Sequence, residues 1–386
     1  MKILTIAPNP FFVDRGFSIR VYNQVKGLTK LGHSVLVTAY GAGRAIDCAE
    51  IVRAPDLPGY DGEALGAKLS RLYLDVLLFF VSLRTAWKFR PDVIHGHLHE
   101  GALIGILIGW LQRKPVLLDA QGGLAAELRD RGTVTNGLLL SLVRGVERFI
   151  CRNSRFIVYS SPATGSALAS EFGVPAAKMA QLDDVVDVSG FEAAGPLPRS
   201  EFGFSASDRV LVYVGTLHKY YGVDCLLEAA AAVKERLPAA RFLICGGPEP
   251  EKYRGLAESL GVGDVVRFAG RTPYAEMPRY LALADAAVAP KLSGSEGNQK
   301  ILAYMAFGLP VVCFDTAANR QMLGDFGIYV TEVGPAALAE GILASLSGPG
   351  MDAASRERMR ERVRKEFSAE ASAARLVDIY SGMGRR

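Results

Sequence analysis

A chain of 386 residues exceeds what one ordinary hydrophobic core organises and suits two domains of about 150 to 200 residues each. Apolar residues make up 49% and charged residues 22%, which excludes a disordered chain and a membrane-spanning one. A net charge of +4 with no isolated Lys/Arg block argues against nucleic acid as a partner. The five cysteines, Cys48, Cys151, Cys225, Cys245 and Cys313, show no paired spacing and mostly lie in apolar runs, so a reducing, cytoplasmic setting is expected.

The opening MKILTIAP reads as a strand, because its apolar run is too short and too soon interrupted by Pro8 and Pro10 for a signal peptide. A strand over Lys2–Ala7, a loop ending at Gly16, a helical pattern over Phe17–Leu31 and a strand over Ser34–Thr38 form a βαβ start, the unit of a parallel sheet. Gly16 is expected to serve the βα turn, as a glycine in any such turn can. Gly66–Phe89 predicts a long helix whose apolar centre, Leu72–Leu83, is broken by Asp75 and is too short to span a bilayer. Lys68, Arg71, Arg84, Lys88 and Arg90 flank it, a pattern shared by a core-facing helix with charged ends and by a helix lying on an anionic membrane surface.

Arg90–His97 predicts a strand ending in histidines. His95, His97 and His99 are expected to project to alternate sides, and a metal site is disfavoured because Glu100 alone does not complete a ligand shell. Pro115–Gly123 predicts the next strand and turn, with Gln121 able to hydrogen-bond a hydroxyl but unable to titrate. Helices over Leu138–Cys151 and Pro162–Phe172 flank a strand over Arg155–Ser160. An acidic turn with Asp183, Asp184 and Asp187 follows, and Gly195–Gly203, containing Pro196 and Pro198, reads as linker.

The second half restarts the pattern. It predicts strands over Val210–Val214, Arg241–Cys245, Val265–Ala269 and Ala286–Ala289, with turns at Gly215, Gly246–Pro250 and Gly270–Pro273 and helices over Val223–Arg236 and Glu276–Ala284. Open α/β sheets bind ligands at the carboxyl ends of their strands, and two such halves imply a cleft. Ser293–Asp315 is the most informative stretch: a loop over Ser293–Asn298, a helix over Gln299–Phe307, a stop at Gly308 and Pro310, then a strand. Glycines allow close approach to a ligand, and the helix start offers N–H groups and a positive dipole end to an anion. Glu296 fits such a place only by accepting hydrogen bonds from hydroxyls beside the phosphate, so the loop reads as a nucleotide-sugar pocket. Lys300, disfavoured by the dipole in a first helical turn, is better explained by an anion at the same place. Helices over Pro335–Leu346, Arg356–Arg364 and Ala369–Tyr380 end the chain, and neither a GxGxxG nor a P-loop is present.

Glu296 to Val312 with Asp315 resembles the donor-site segment of the retaining family 4 glycosyltransferases, and PDVIHGH and Gly173–Phe191 extend the resemblance over nearly the whole chain. It implies the α/β GT-B fold: two Rossmann-like domains facing across a cleft, with residues 1–188 the acceptor domain, 189–366 the donor domain and 367–386 a helix crossing back. It further implies transfer of a sugar from a nucleotide-diphosphate donor, with retention, to a glycan, lipid or small-molecule acceptor. No metal and no cofactor beyond that co-substrate are implied. The catalytic residues implied are Glu296, His97 and Gln121, the last standing where many relatives have histidine. The donor-binding residues implied are Gly16, Gly215, Thr216, Lys219, Arg271, Thr272, Gly297, Asn298, Lys300 and Ile301. Three positions depart from the family pattern. The second glutamate falls at Ala303, beside Tyr304, and the arginine and lysine that neutralise the diphosphate fall at Thr216 and Tyr221, leaving Lys219, Lys291 and Lys300 as the cations nearby. The departures fit a non-catalytic chain that binds a nucleotide sugar or a partner in a regulatory or scaffolding role. The Glu296 loop with Asn298 and Lys300 favours the enzyme.

Overall fold

The computed structural model describes residues 1–13, 16–56, 69–130, 136–188, 195–292, 298–348 and 350–384. The chain divides into two compact units, Met1–Val185 with Ala369–Arg386, and Val186–Ser368.

In the first unit the chain runs β1 (Lys2–Pro10), α1 (Gly16–Lys30), β2 (Ser34–Tyr40), β3 (Glu50–Arg53), α2 (Leu69–Phe89), β4 (Val93–His97), α3 (Leu98–Gln112), β5 (Val116–Ala120), α4 (Leu124–Asp130), α5 (Gly137–Asn153), β6 (Phe156–Tyr159), α6 (Pro162–Ser170) and β7 (Met179–Gln181). The strands form one parallel sheet in the order β3-β2-β1-β4-β5-β6-β7. Helices cover both faces, which is why its central strands are apolar almost throughout. β1 runs through both prolines because their missing N–H groups fall where pairing has lapsed: its ladder with β4 ends at Ile6 and that with β2 is irregular between Ala7 and Pro10.

The two faces of this sheet differ in chemistry. Leu4, Ile6, Ile94, Val116 and Leu118 share a core with Leu78 of α2, Ile104 of α3 and Ile150 of α5. The alternate positions, among them His95, His97 and Asp119, face α1 and the last helix, α14 (Ala369–Met383). α1 and α14 pack so closely that a Cβ on Gly27 would lie 2.2 Å from the Ala369 carbonyl oxygen.

The second unit runs β8 (Arg209–Val214), α7 (Val223–Arg236), β9 (Ala240–Cys245), α8 (Pro250–Ser259), β10 (Val266–Gly270), α9 (Met277–Leu281), β11 (Ala286–Ala289), α10 (Lys300–Phe307), β12 (Val311–Phe314), α11 (Ala317–Leu323), β13 (Gly327–Val330), α12 (Pro335–Ser347) and α13 (Ala353–Glu366). Its parallel sheet has the order β10-β9-β8-β11-β12-β13. Leu211, Tyr213 and Phe242 pack on one side with Leu226 of α7 and Ile342 of α12, while Val210, Val212 and Leu243 pack on the other with Ile301 and Met305 of α10. In each unit the strand order reverses once, between β1 and β4 and between β8 and β11, and the crevice at such a reversal is where open α/β sheets take ligands.

Candidate functional site

At the β1/β4 reversal of the first unit a buried polar cluster is built on the α1 and α14 side. His97 ends β4, and the parallel register sets it opposite Asp119 of β5. Arg20 of α1 donates from Nε and Nη2 to the two Asp119 oxygens at 3.0 and 2.9 Å, from Nη1 to Asp184 Oδ1 at 2.9 Å, and from Nη2 to the Leu182 carbonyl. Gln24, one turn further along α1, also donates to Asp119 at 3.0 Å. Burial alone would raise the Asp119 carboxyl, but the Arg20 guanidinium and the neighbouring histidines reverse this and hold it well below the usual carboxylate range. Asp184 accepts from the same arginine, yet burial leaves its carboxyl raised.

His95 and His97 do not project to alternate sides. Residues two apart on a strand share a face, and their rings stack at 4.2 Å between centroids. His95 Nδ1 is hydrogen-bonded to Tyr380 of α14 at 2.7 Å, and burial followed by the His97 charge pushes its pKa down to about 4, so it is neutral at pH 7. His97 Nδ1 lies 3.3 Å from Asp119 Oδ2. A carboxylate absent from the sequence argument therefore stands beside the histidines, and the ligand atoms of His95, His97 and Asp119 lie within 4.8 Å of one another. A different reason disfavours a cation here: Asp119 is taken by two Arg20 hydrogen bonds, and the guanidinium charge would oppose a divalent ion.

His99 belongs elsewhere, with Nε2 3.5 Å from Glu147 of α5. Glu147 accepts from the Leu124 N–H at 2.5 Å, which caps α4 and anchors the turn that carries Gln121, Gly122 and Gly123. Gln121 directly follows β5 with Nε2 buried, and Gly16 is the exposed first residue of α1.

In the second unit the carboxyl ends of β8, β9 and β10 are knit together. The Gly215 N–H donates to Cys245 O, the Leu217 N–H to Gly247 O and the Gly246 N–H to Gly270 O, all within 2.9 Å. A Cβ on Gly246, at φ +159°, would lie 1.8 Å from the Gly215 carbonyl oxygen. Gly222, at φ +76°, is equally close to the Pro290 carbonyl, which fastens the turn after β8 to the end of β11.

Lys300 comes to this floor from the first turn of α10. Its Nζ is sealed from solvent 4.1 Å from the Tyr213 ring centroid and 5.6 Å from that of Tyr221, and it makes no hydrogen bond among the described residues. A Cβ on Gly215 would stand 2.7 Å from it, so the glycine makes room for the ammonium. Burial, with a smaller contribution from Lys291, pushes the Lys300 pKa down to about 7. Lys291 is itself buried, 5.5 and 5.9 Å from the Tyr220 and Tyr221 rings. Two amines converge where β8 and β11 end, held over tyrosine ring faces that favour their cationic form.

The other expected donor residues divide. Thr216 accepts through its carbonyl from Tyr213 Oη at 2.8 Å, Arg271 lies against Gly247, and the buried Thr272 hydroxyl is beside the Cys245 thiol. Lys219 is exposed on the short turn Lys219–Tyr221. Asn298 and Ile301 point inward: the Asn298 amide donates to Asn319 at 3.3 Å, and Ile301 is fully buried. Ala303 is in the core, and Tyr304 Oη accepts from the Val214 N–H at 2.9 Å, a structural tie in place of a ribose contact. Glu296 and Gly297 lie outside the described residues. Arg20, Asp119, Tyr213 and Tyr380 are the residues the sequence reading missed.

Residues 198–366 match the family described as glycosyl transferases group 1, and residues 15–183 match the glycosyl transferase 4-like domain. The chain is 25% identical over 397 residues to the D-inositol 3-phosphate glycosyltransferase of Corynebacterium urealyticum, an alignment covering 95% of this chain and 91% of the relative. Sucrose-phosphate synthase from Thermosynechococcus elongatus has a similar structure, with TM-score 0.78 at 19% identity over 99% of each chain. Anabaena HepE, solved in complex with UDP-glucose, has TM-score 0.76 at 15% identity over 99% of this chain and 100% of its own. Matches to both halves in order, joined to two parallel sheets with polar clusters at their reversals, make this chain a member of the glycosyltransferases of the GT-B fold and family 4 type.

Proposed function

We propose that this chain transfers a sugar from a nucleotide-diphosphate donor to a hydroxyl of an acceptor, with retention of configuration. The observation that carries the donor assignment is the buried Lys300 ammonium, without a hydrogen-bond partner among the described residues, beside Gly215 at the end of β8. A sealed ammonium with ring faces but no hydrogen-bond acceptor around it is costly unless an anion completes it. Lys300 and Lys291 would supply the charge that Thr216 and Tyr221 lack, which weakens the non-catalytic reading. Stabilising the leaving diphosphate with preorganised cations is the main task in such a reaction, and the donor's own phosphate oxygen serves as base. No metal or further cofactor enters this scheme. His97 and Gln121, at adjacent strand ends of the first unit, are assigned to the reacting sugars, and Glu296 to orienting the donor sugar. The HepE neighbour was solved with UDP-glucose, and the Corynebacterium relative is named for D-inositol 3-phosphate, so a nucleotide-sugar donor and a hydroxylated acceptor, a glycan, lipid or small molecule, both have precedent. The setting we assign is the cytoplasm.

Thermal-shift screening of nucleotide sugars, followed by NMR of the anomeric proton of the product, tests this reading. One donor should stabilise the protein and its anomeric configuration should survive transfer. A flat screen removes the donor assignment, and an inverted product removes retention. Glu296→Gln, which keeps shape and deletes charge, should slow turnover by roughly ten- to a thousandfold, the range for one preorganised polar contact. Wild-type turnover in that variant would take Glu296 out of the site.

A further inference from the structure

The geometry points to docking of the first unit on a lipid surface rich in anionic headgroups, through the outer faces of α2, α3 and α5. α5 buries Glu147, Ile150 and Cys151 against the sheet and turns Leu138, Leu142, Val146 and Phe149, spaced by four, four and three, out to solvent. Leu138, in the first turn of α5, is 75% exposed. On α2, Leu72, Val76 and Phe80 repeat the pattern and Trp87 continues it. α3 lies between them with Trp110 and Leu111 exposed, and the Trp110 ring meets Phe149 edge-on at 5.8 Å, so the apolar surface runs on from α3 to α5. The three helices share one core on one face of the sheet, while His95, His97 and Asp119 occupy the other face. A partner on this surface leaves the polar cluster uncovered.

Charge identifies the partner. Among the described side chains of these helices the exposed charged ones are Arg84, Lys88, Arg144, Arg148 and Arg152, all cationic. The acids turn inward: Asp75 accepts from Tyr40 Oη at 2.6 Å, Glu147 caps α4, and Glu100 is half-buried. An apolar stripe bordered by arginines is what a helix in the plane of an anionic bilayer presents. A second copy of the chain fits poorly, because a two-fold contact would set arginines against arginines. Among the described residues no helix is long and apolar enough to cross a membrane, so the contact is peripheral. This inference is independent of the donor assignment.

The test is co-sedimentation of the full chain with phosphatidylcholine vesicles, with and without phosphatidylglycerol. Binding should need phosphatidylglycerol and weaken as salt rises. Each basic side chain near an anionic surface contributes about fivefold to partitioning, so Arg144→Gln with Arg148→Gln should cost about 25-fold. Leu142→Asp and, on a separate helix, Phe80→Asp should each abolish pelleting; all four positions are exposed, so thermal midpoints should stay near wild type. Pelleting with neither vesicle, equal pelleting with both, or a dimer in light scattering that Leu142→Asp dissolves would overturn the proposal.

Discussion

Lys300→Ala is expected to weaken binding of the donor's nucleoside diphosphate by up to about a thousandfold while leaving the nucleoside nearly unaffected. At an effective dielectric near 20, an ammonium about 4 Å from a phosphate oxygen contributes about 4 kcal/mol, and every 1.4 kcal/mol is about tenfold in affinity. The Lys300 Nζ is sealed from solvent, so water does not dilute that attraction. Its pKa, pushed down to about 7 from 10.5, adds a signature in pH. Above about pH 7 the free protein holds Lys300 neutral, and a bound diphosphate must recruit a proton to it. Affinity should therefore be greatest below pH 7 and fall by up to about tenfold per pH unit above it. A nucleotide sugar is the ligand to use, since its doubly esterified diphosphate does not titrate there. Stability without ligand runs the opposite way: between about pH 7 and 10 the unfolded chain holds a proton that the folded chain does not, so stability rises with pH. Isothermal titration across that range, with wild type, Lys300→Ala and Lys219→Ala, settles the point. Lys219 is exposed and should show a smaller loss of the same kind. Equal losses for nucleotide and nucleoside, or a flat pH profile in the wild type, would detach Lys300 from the diphosphate.

Arg20→Met should destabilise the first unit by about 3 to 5 kcal/mol, the usual cost of leaving buried charges without their partner. Methionine keeps much of the volume, so the loss reports the guanidinium rather than a void. Asp119 is fully buried and Asp184 nearly so, and both accept from Arg20. Both tryptophans of the chain, Trp87 and Trp110, lie in this unit, so their fluorescence in a urea titration follows its unfolding alone. Adding Asp119→Asn should return part of the loss, since one stranded charge is then gone. A loss below about 1 kcal/mol would mean that the cluster is solvated and that the two carboxylates do not depend on the arginine.

Elements with a clear period were legible in the sequence. α7 and β11 fall at the residues their patterns predict, and α1, α5 and α12 within two. α3 was missed because Leu98–Gln112 is apolar on its exposed side as well as its buried one; a helix without a polar face carries no 3.6-residue signal. The Gly-rich turns at Gly215, Gly246 and Gly270 were legible, since backbone geometry demands that residue type. The polar cluster was not. Arg20 reads as one more polar position on an amphipathic helix, and Tyr380 reaches His95 across 285 residues. Asp119 sits inside an apolar strand, where a lone carboxylate is itself a signal that a cation faces it from another element. Lys300 was legible from its unfavourable place in a first helical turn, and asking in the same way what a misplaced charge faces would have found Asp119.

The interlocked glycines of the second unit bear on how this protein can change. A side chain at Gly246 would run into the Gly215 carbonyl, and one at Gly222 into that of Pro290, so neither position accepts a substitution unless its neighbour moves as well. The short turn between Gly215 and Gly222, residues 216–221, is held at Thr216 and Leu217, but beyond them Lys219 is exposed and His218 caps the turn locally. Mutational latitude is thus uneven across one pocket: the floor is inherited whole or not at all, while the rim can exchange residues one at a time. An arginine and a lysine could be lost from that rim, at Thr216 and Tyr221, without disturbing the backbone, provided that charge arrived from a different direction. Lys300 enters from the helix side of the floor, so the fold can reassign the source of a charge while keeping the place where the charge is delivered.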